Sequence, residues 1–241
     1  MRTVVILAAG RGTRMGTLTA DRPKPLLAVR GRPLIDHILR GFAAAGLERA
    51  VIVVGYRAAQ IEAALGDGSA VGLTLRYCRQ ERPEGTARAL LLAEALVDDE
   101  TFALGWGDVL VYPAFYGEFL QQYAVSRCAV QLAVNEVEDP WQGAAVYVDA
   151  QWRVTKLEEK PLRGTATTRW NNAGIFAFDR SIFGYARALT PSVRGEYELP
   201  RAVAAMVIDG CDVRAYPVRG FWSDVGTPAD LERAQLTYPG Q

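Results

Sequence analysis

The sequence predicts an α/β fold: a Rossmann-like, doubly wound sheet, mostly parallel but mixed, flanked by helices. Three observations predict it. The runs TVVILAAG (3–10) and AVIVVGY (50–56) show no polar alternation and reach a glycine at or near their ends, which is how strands buried on both faces read. Strand-like and helix-like segments alternate about every 25 residues through the first 110, and right-handed crossovers turn that alternation into a parallel sheet. Half of the 241 residues are hydrophobic and 22% are charged, enough for a sizeable core and unlike a disordered chain.

The elements follow in order. The first strand gives way to turn formers and basic residues from Arg11 to Pro25. Pro33 opens a helix through about Ala45, with Leu34, Ile38, Leu39 and Phe42 on one face and Gly46 closing it. A second strand (50–56), a helix (58–65), a third strand (73–78), an Ala- and Leu-rich helix (85–97) and a fourth strand (102–108) complete the alternating half. Beyond it, strands at 128–134, 144–148, 153–159 and 173–178 have few helices between them, so antiparallel additions to the sheet are expected. Helices at about 181–188, 198–208 and 228–236 pack on it. No linker, repeat or low-complexity tract interrupts the chain.

Charge and rare residues narrow the function classes. Lys+Arg and Asp+Glu both number 27, so the net charge is zero, which speaks against a globally basic nucleic-acid binder. Only Lys24, Lys156 and Lys160 are lysines, so 27 − 3 = 24 of the basic residues are arginines. Cys78, Cys128 and Cys211 are widely spaced and form no CxxC pair, which suits a reducing compartment, and one histidine, His37, makes no His-rich metal site. The short apolar run after Met1-Arg2 reads neither as a signal sequence nor as a membrane span, so a cytoplasmic protein without membrane attachment is expected.

Ligands of open α/β sheets bind beyond the carboxyl ends of the strands, which points to the loops at 9–25 and 107–113. In the first, Gly10 and Gly12 follow a buried strand and allow close approach of backbone N–H groups to an anion, while Arg14 and Lys24 add positive charge. No GxxxxGK[ST] P-loop is present. The dinucleotide pattern GxGxxG fails at Met15, and the second strand ends in Gly55-Tyr56-Arg57 rather than an acid, against an oxidoreductase. By residue type alone the loop is also readable as a glycine turn, Asp108 as a turn or helix cap, and 154–161 as an edge strand of alternating charge.

The stretch GxGTRM…PKPLL, matched from Leu7 to Leu27, resembles the signature of the sugar-1-phosphate nucleotidyltransferases, most like their glucose-1-phosphate thymidylyl and uridylyl members. QERPEGTARAL (80–90), GWGDVL (105–110), VTKLEEKP (154–161), NNAGIFAF (171–178), VRGEYELP (193–200) and FWSDVGTPADL (221–231) resemble later motifs of that family, in its order. One departure is Thr17, where relatives often carry a proline before Leu-Thr. The resemblance implies nucleotide binding by Leu7, Gly10, Gly12, Thr13, Gln80 and Gly85, and magnesium held by Asp108 and Asp224. It implies sugar-phosphate binding by Gly143, Glu159, Lys160, Asn172 and Arg194, with Arg194 otherwise a structural arginine, and catalytic roles for Arg14, Lys24 and Lys160.

What the resemblance implies as a whole is one domain over 1–241, with a nucleotide-binding half (1–110) and a sugar-phosphate-binding half (111–241). Neither a C-terminal helical extension nor a β-helix is expected. The implied partners are a nucleoside triphosphate and a sugar 1-phosphate, with no nucleic acid and scope for a homo-oligomer. The implied reaction is Mg²⁺-dependent transfer of a nucleotidyl group, with UTP or dTTP favoured by Gln80 and its spacing to Gly85. A guanylyl- or cytidylyltransferase for a mannose or heptose phosphate or phosphocholine, and a non-catalytic regulatory subunit, stay open. Two of the three lysines, Lys24 and Lys160, fall on phosphate motifs, where a compact ammonium is not freely replaced by a guanidinium.

Overall fold

The computed structural model describes residues 1–240. At the centre of a nine-stranded sheet lies β1 (Thr3–Ala8). A small hairpin, β2 (Ala28–Val29) and β3 (Arg32–Pro33), then leads into α1 (Leu34–Ala44). β4 (Arg49–Val54) pairs in parallel with one side of β1, and α2 (Ala58–Leu65) connects it to β5 (Thr74–Arg79), which pairs in parallel with β4. After α3 (Thr86–Ala93) the chain returns as β6 (Thr101–Trp106), parallel to β1 on its other side.

The second half departs from this winding. β7 (Val109–Val111) and α4 (Phe115–Ser126) precede β8 (Val130–Glu136), β9 (Ala144–Val148), β10 (Val154–Glu159) and β11 (Trp170–Asp179). β11 runs antiparallel to β6, β8 and β9, and so joins the parallel part to the rest of the sheet. β9 and β10 pair antiparallel. α5 (Ser181–Ala188) and α6 (Leu199–Ile208) lead to β12 (Val213–Pro217), parallel to β8. β13 (Trp222–Asp224) pairs with β7 in a separate two-stranded ribbon, followed by α7 (Pro228–Thr237). Thr227 caps α7 in a full capping box with Asp230.

Burial explains the unbroken apolar runs. Val4 and Ile6 face one core with Leu34, Ile38, Phe42 and Phe119, while Val5 faces the other with Leu90, Phe102, Phe183 and Val203. Each central strand is therefore covered on both faces. The register of β11 breaks between Asn172 and Phe176, at Gly174 with φ 79°. A Cβ there would lie 2.5 Å from the ring of Trp106, so the bulge exists to admit that indole. No helix among the described residues is long and apolar enough to cross a membrane.

Several elements differ from the sequence reading. α4 occupies a stretch in which no helix is expected; its aromatic residues and Gly117 are poor helix formers, and burial of Phe115, Tyr116, Phe119 and Tyr123 overrides that preference. The predicted 85–97 helix ends at Ala93 and tightens into a 3₁₀ turn over Glu94–Leu96. β7, β12 and β13 are short and find their partners across long sequence separations, so local pattern gives little sign of them.

Candidate active site

The site begins where β1 ends. Gly55 and Gly107 flank that end: a Cβ on Gly55 would lie 2.7 Å from the Ala9 carbonyl oxygen, and one on Gly107 3.1 Å from that of Leu7. Both contacts are used, since Tyr56 N–H donates to Ala9 O (3.1 Å) and Gly107 N–H donates to Leu7 O (2.9 Å). Above this clamped strand end, a Cβ on Gly10 would meet nothing within 4 Å, leaving the backbone open to a ligand. Gly12 turns the loop at φ 64°, with Lys24 Cβ only 3.0 Å from where its own Cβ would sit. Thr13 opens the 3₁₀ turn that follows, and Thr19 Oγ1 donates to Gly12 O (3.0 Å). Met15, which breaks the dinucleotide pattern, is buried and anchors the loop in the core.

Four charged groups from three segments converge beside that loop. Lys24 is only 7% exposed; its Nζ lies 2.5 Å from Asp108 Oδ2 and 3.9 Å from Asp224 Oδ1. Arg14 Nη2 lies 3.8 Å from Asp224 Oδ2, and the guanidinium packs on Gly226, where a Cβ would approach to 3.0 Å. Val225 N–H donates to Asp108 O (3.0 Å), fixing the two acidic segments to each other. Loss of solvation, then the charge of Asp108, pushes the Asp224 carboxyl up to about 6, against the pull of Lys24 and Arg14.

This arrangement fits a hard divalent cation. The buried Oδ1 of Asp224 accepts no hydrogen bond, and the charge of Asp108 opposes its ionisation. Among the described residues no group of three or more His, Cys, Asp or Glu converges. Two carboxylates are nevertheless a sufficient protein share for Mg²⁺, which keeps waters and takes substrate phosphate oxygens.

The base-side candidates lie at the end of β5. Gln80 N–H donates to Val54 O (2.8 Å), and the Gln80 side-chain amide donates to Gly85 O (3.1 Å), so the two predicted base readers hold one another. Gly85 has φ 105°, and a Cβ there would lie 2.6 Å from Tyr197 O. Only glycine fits this close backbone approach.

Of the residues predicted to bind the sugar phosphate, Glu159 ends β10 and Lys160 follows in the left-handed region at φ 46°, its N–H donating to Gly143 O (2.8 Å). Gly143 itself backs onto Asn171, whose Oδ1 would lie 2.1 Å from a Cβ. Burial pushes the Glu159 carboxyl up to about 7; Lys160 and Arg194 oppose that rise and Glu198 adds to it. Asn172 is buried, its Oδ1 accepting from Gly174 N–H (3.0 Å) while its Nδ2 finds no partner. Arg194 sits between two carboxylates, 3.4 Å from Glu159 Oε1 and hydrogen-bonded to Glu198.

The third lysine separates from the other two. Lys156 Nζ pairs with Glu158 (2.7 Å) and lies 4.9 Å from the Tyr147 ring centroid, on an exposed strand face. Sequence reasoning missed Gly55, Gly107, Asn171, Glu198 and Gly226. Gly55 had a visible signal, since it ends its strand run as Gly10 ends the first; Glu198 had none, because its meaning depends on Arg194.

The chain matches the Nucleotidyl transferase family model over residues 3–240. It is 32% identical over 233 residues to a glucose-1-phosphate thymidylyltransferase of Streptomyces antibioticus, covering 97% of this chain and 65% of that protein. It is 34% identical over 231 residues to a mannose-1-phosphate guanylyltransferase of Mycobacterium tuberculosis, covering 95% of this chain and 62% of that one. It thus spans somewhat less than two thirds of the length of these relatives. In fold it is similar to a UDP-glucose pyrophosphorylase solved with UDP-glucose, at a TM-score of 0.88 and 22% identity, with 98% of this chain and 97% of that chain covered. With the family model matched over almost its whole length, the chain belongs to the nucleotidyl transferase family, that of the sugar-1-phosphate nucleotidyltransferases.

Proposed function

We propose that this chain transfers a nucleotidyl group from UTP or dTTP to a sugar 1-phosphate, releasing pyrophosphate, with residues 1–110 binding the nucleotide and 111–241 the sugar phosphate. The observation that carries this reading is the meeting of Arg14, Lys24, Asp108 and Asp224 beside the loop whose backbone is open at Gly10.

In the proposed reaction a phosphate oxygen of the sugar 1-phosphate attacks the α-phosphorus of the triphosphate. A new P–O bond forms as the bond to pyrophosphate breaks. The nucleophile is already an anion, so no general base is required, and catalysis consists of positioning and electrostatics. The Gly10 and Gly12 region offers backbone N–H groups to the triphosphate, with Leu7 and Thr13 shaping the two ends of the cradle. Arg14 offsets charge on the leaving pyrophosphate. Lys24 holds the nucleotide phosphates and lowers the repulsion between Asp108 and Asp224. Bound through those two aspartates, Mg²⁺ would supply positive charge that brings the two anionic substrates together.

Gln80 and the Gly85 backbone present a planar donor–acceptor edge suited to uracil or thymine. Lys160 holds the sugar phosphate, and Glu159, Asn172 and the Gly143 backbone face the sugar. A second reading, guanylyl transfer to a mannose-type phosphate, is favoured by the similarity to the mannose-1-phosphate guanylyltransferase.

A pyrophosphate-release assay over a panel of nucleoside triphosphates and sugar 1-phosphates tests both. Turnover greatest with UTP or dTTP and glucose 1-phosphate is expected. Turnover greatest with GTP and mannose 1-phosphate selects the second reading. Silence with every pair overturns catalysis altogether.

A further inference from the structure

Glu198 is a buried carboxylate, 4% exposed, immediately before α6. Glutamate is not among the usual N-cap residues, and the Glu198 side chain makes no capping hydrogen bond. The first N–H of α6, that of Leu199, is instead satisfied by Thr86 Oγ1 (2.8 Å), which belongs to the base-reading segment. Burying a charge is expensive unless it is paired, so this carboxylate calls for another use.

Its partners give that use. Glu198 Oε1 accepts from Arg194 Nη2 and from Ser192 Oγ (3.1 Å), and the same hydroxyl accepts from Arg194 N–H (3.2 Å). The same Nη2 reaches Glu159 Oε1 at 3.4 Å. Among the described residues the Nε and Nη1 groups of Arg194 donate to no protein atom, which leaves those N–H donors for a ligand.

We propose that Glu198 is a positioning residue: it holds Arg194 against Glu159 by one amino group, so that the remaining guanidinium donors meet the phosphate of the sugar 1-phosphate. This rests on the functional reading above. It has a consequence across the site. Tyr197 N–H donates to Glu84 O and Ala87 N–H donates to Tyr197 O, each at 2.8 Å, so the Glu198 backbone is fixed to the turn that carries Gly85. The grip on the sugar phosphate is thereby mechanically joined to the base-reading turn.

The test is steady-state kinetics on the full chain with its best substrate pair. Glu198→Gln, which keeps the volume and removes the charge, is expected to raise KM for the sugar 1-phosphate about tenfold and leave KM for the nucleotide within about twofold. In an Arg194→Ala background the same substitution should add nothing, because the group it positions is gone. Glu198→Asp, which keeps the charge, should restore part of the affinity, and it carries the test if Glu198→Gln does not fold. Parallel rises in both KM values, or effects of Glu198→Gln and Arg194→Ala that multiply, overturn the role of Glu198 alone. A wild-type chain silent with every substrate pair overturns the functional reading and this inference with it.

Discussion

The two ends of the site are built in opposite ways. The predicted phosphate end is shaped by backbone where β1 stops: Gly55 and Gly107 leave room at its last carbonyls, which accept from Tyr56 and Gly107 N–H groups, and the loop that follows is open at Gly10. The predicted sugar end is gathered from β10, β11 and the 192–199 segment, and it is shaped by side chains: Glu159, Arg194 and Glu198 hold one another, while Asn171 donates to Asn135. A backbone site is rigid before its ligand arrives. A side-chain network is high-stakes, because each member sets the charge and orientation of the next.

Substitutions can break that contrast. The largest effect is expected at the carboxylates common to both ends. Asp108→Asn and Asp224→Asn should each lower kcat/KM by about 10³-fold, the scale on which preorganised charge acts, and chelation of Mg²⁺ should abolish turnover reversibly. Activity within tenfold of wild type in either variant would remove that residue from the cation site. Next, Gly85→Ala should impair nucleotide use and destabilise the chain by about 2 kcal/mol or more, because a side chain at φ 105° is strained and would meet Tyr197 O. A denaturant midpoint equal to wild type would show that the two segments separate easily.

Lys160→Ala sharpens the comparison from the other end. It should raise KM for the sugar 1-phosphate about tenfold or more while moving nucleotide KM far less; equal changes would place Lys160 between the two substrates. A further effect concerns stability and pH rather than turnover. Burial pushes Glu159 up to about 7, so the folded chain binds this proton more tightly than the unfolded one. Stability from Glu159 is therefore full below its unfolded pKa near 4.5 and is lost as pH rises through about 7, by up to about 3 kcal/mol. Melting curves should show Glu159→Gln gaining on wild type between pH 5 and pH 8; no gain would mean that Arg194 and Lys160 already compensate the charge. Smallest of all, Lys156→Ala should change activity by less than about twofold, as expected for an exposed ion pair.

The same contrast explains what could be read in advance. The parallel half was legible because strands covered on both faces leave unbroken apolar runs, and because Gly10, Gly12 and Lys24 sit close together in sequence. α4 was hidden by aromatic residues whose helical state is imposed by burial. β13 was hidden because it consists of three residues paired with β7, more than a hundred positions earlier. On the sugar side Glu159, Lys160 and Asn172 were reached only through family resemblance. Glu198 escaped even that, since its meaning depends on the fold bringing it to Arg194 and Thr86 taking the first N–H of α6. The lysine skew separates in the same way: Lys24 is buried on Asp108, Lys160 stands at a strained turn beside Glu159, and Lys156 is a surface partner of Glu158.

The bulge at Gly174 has an optical consequence. It seats Trp106 two residues ahead of Asp108, while Trp222, two residues ahead of Asp224, donates its indole N–H to Ala173 O (3.0 Å) in the same strand. Both indoles are thus wired to the seam where β11 meets the parallel strands, each on the chain that carries one of the two aspartates. Intrinsic tryptophan emission should therefore shift when that seam tightens around a ligand, giving the cleft a built-in fluorophore that needs no label.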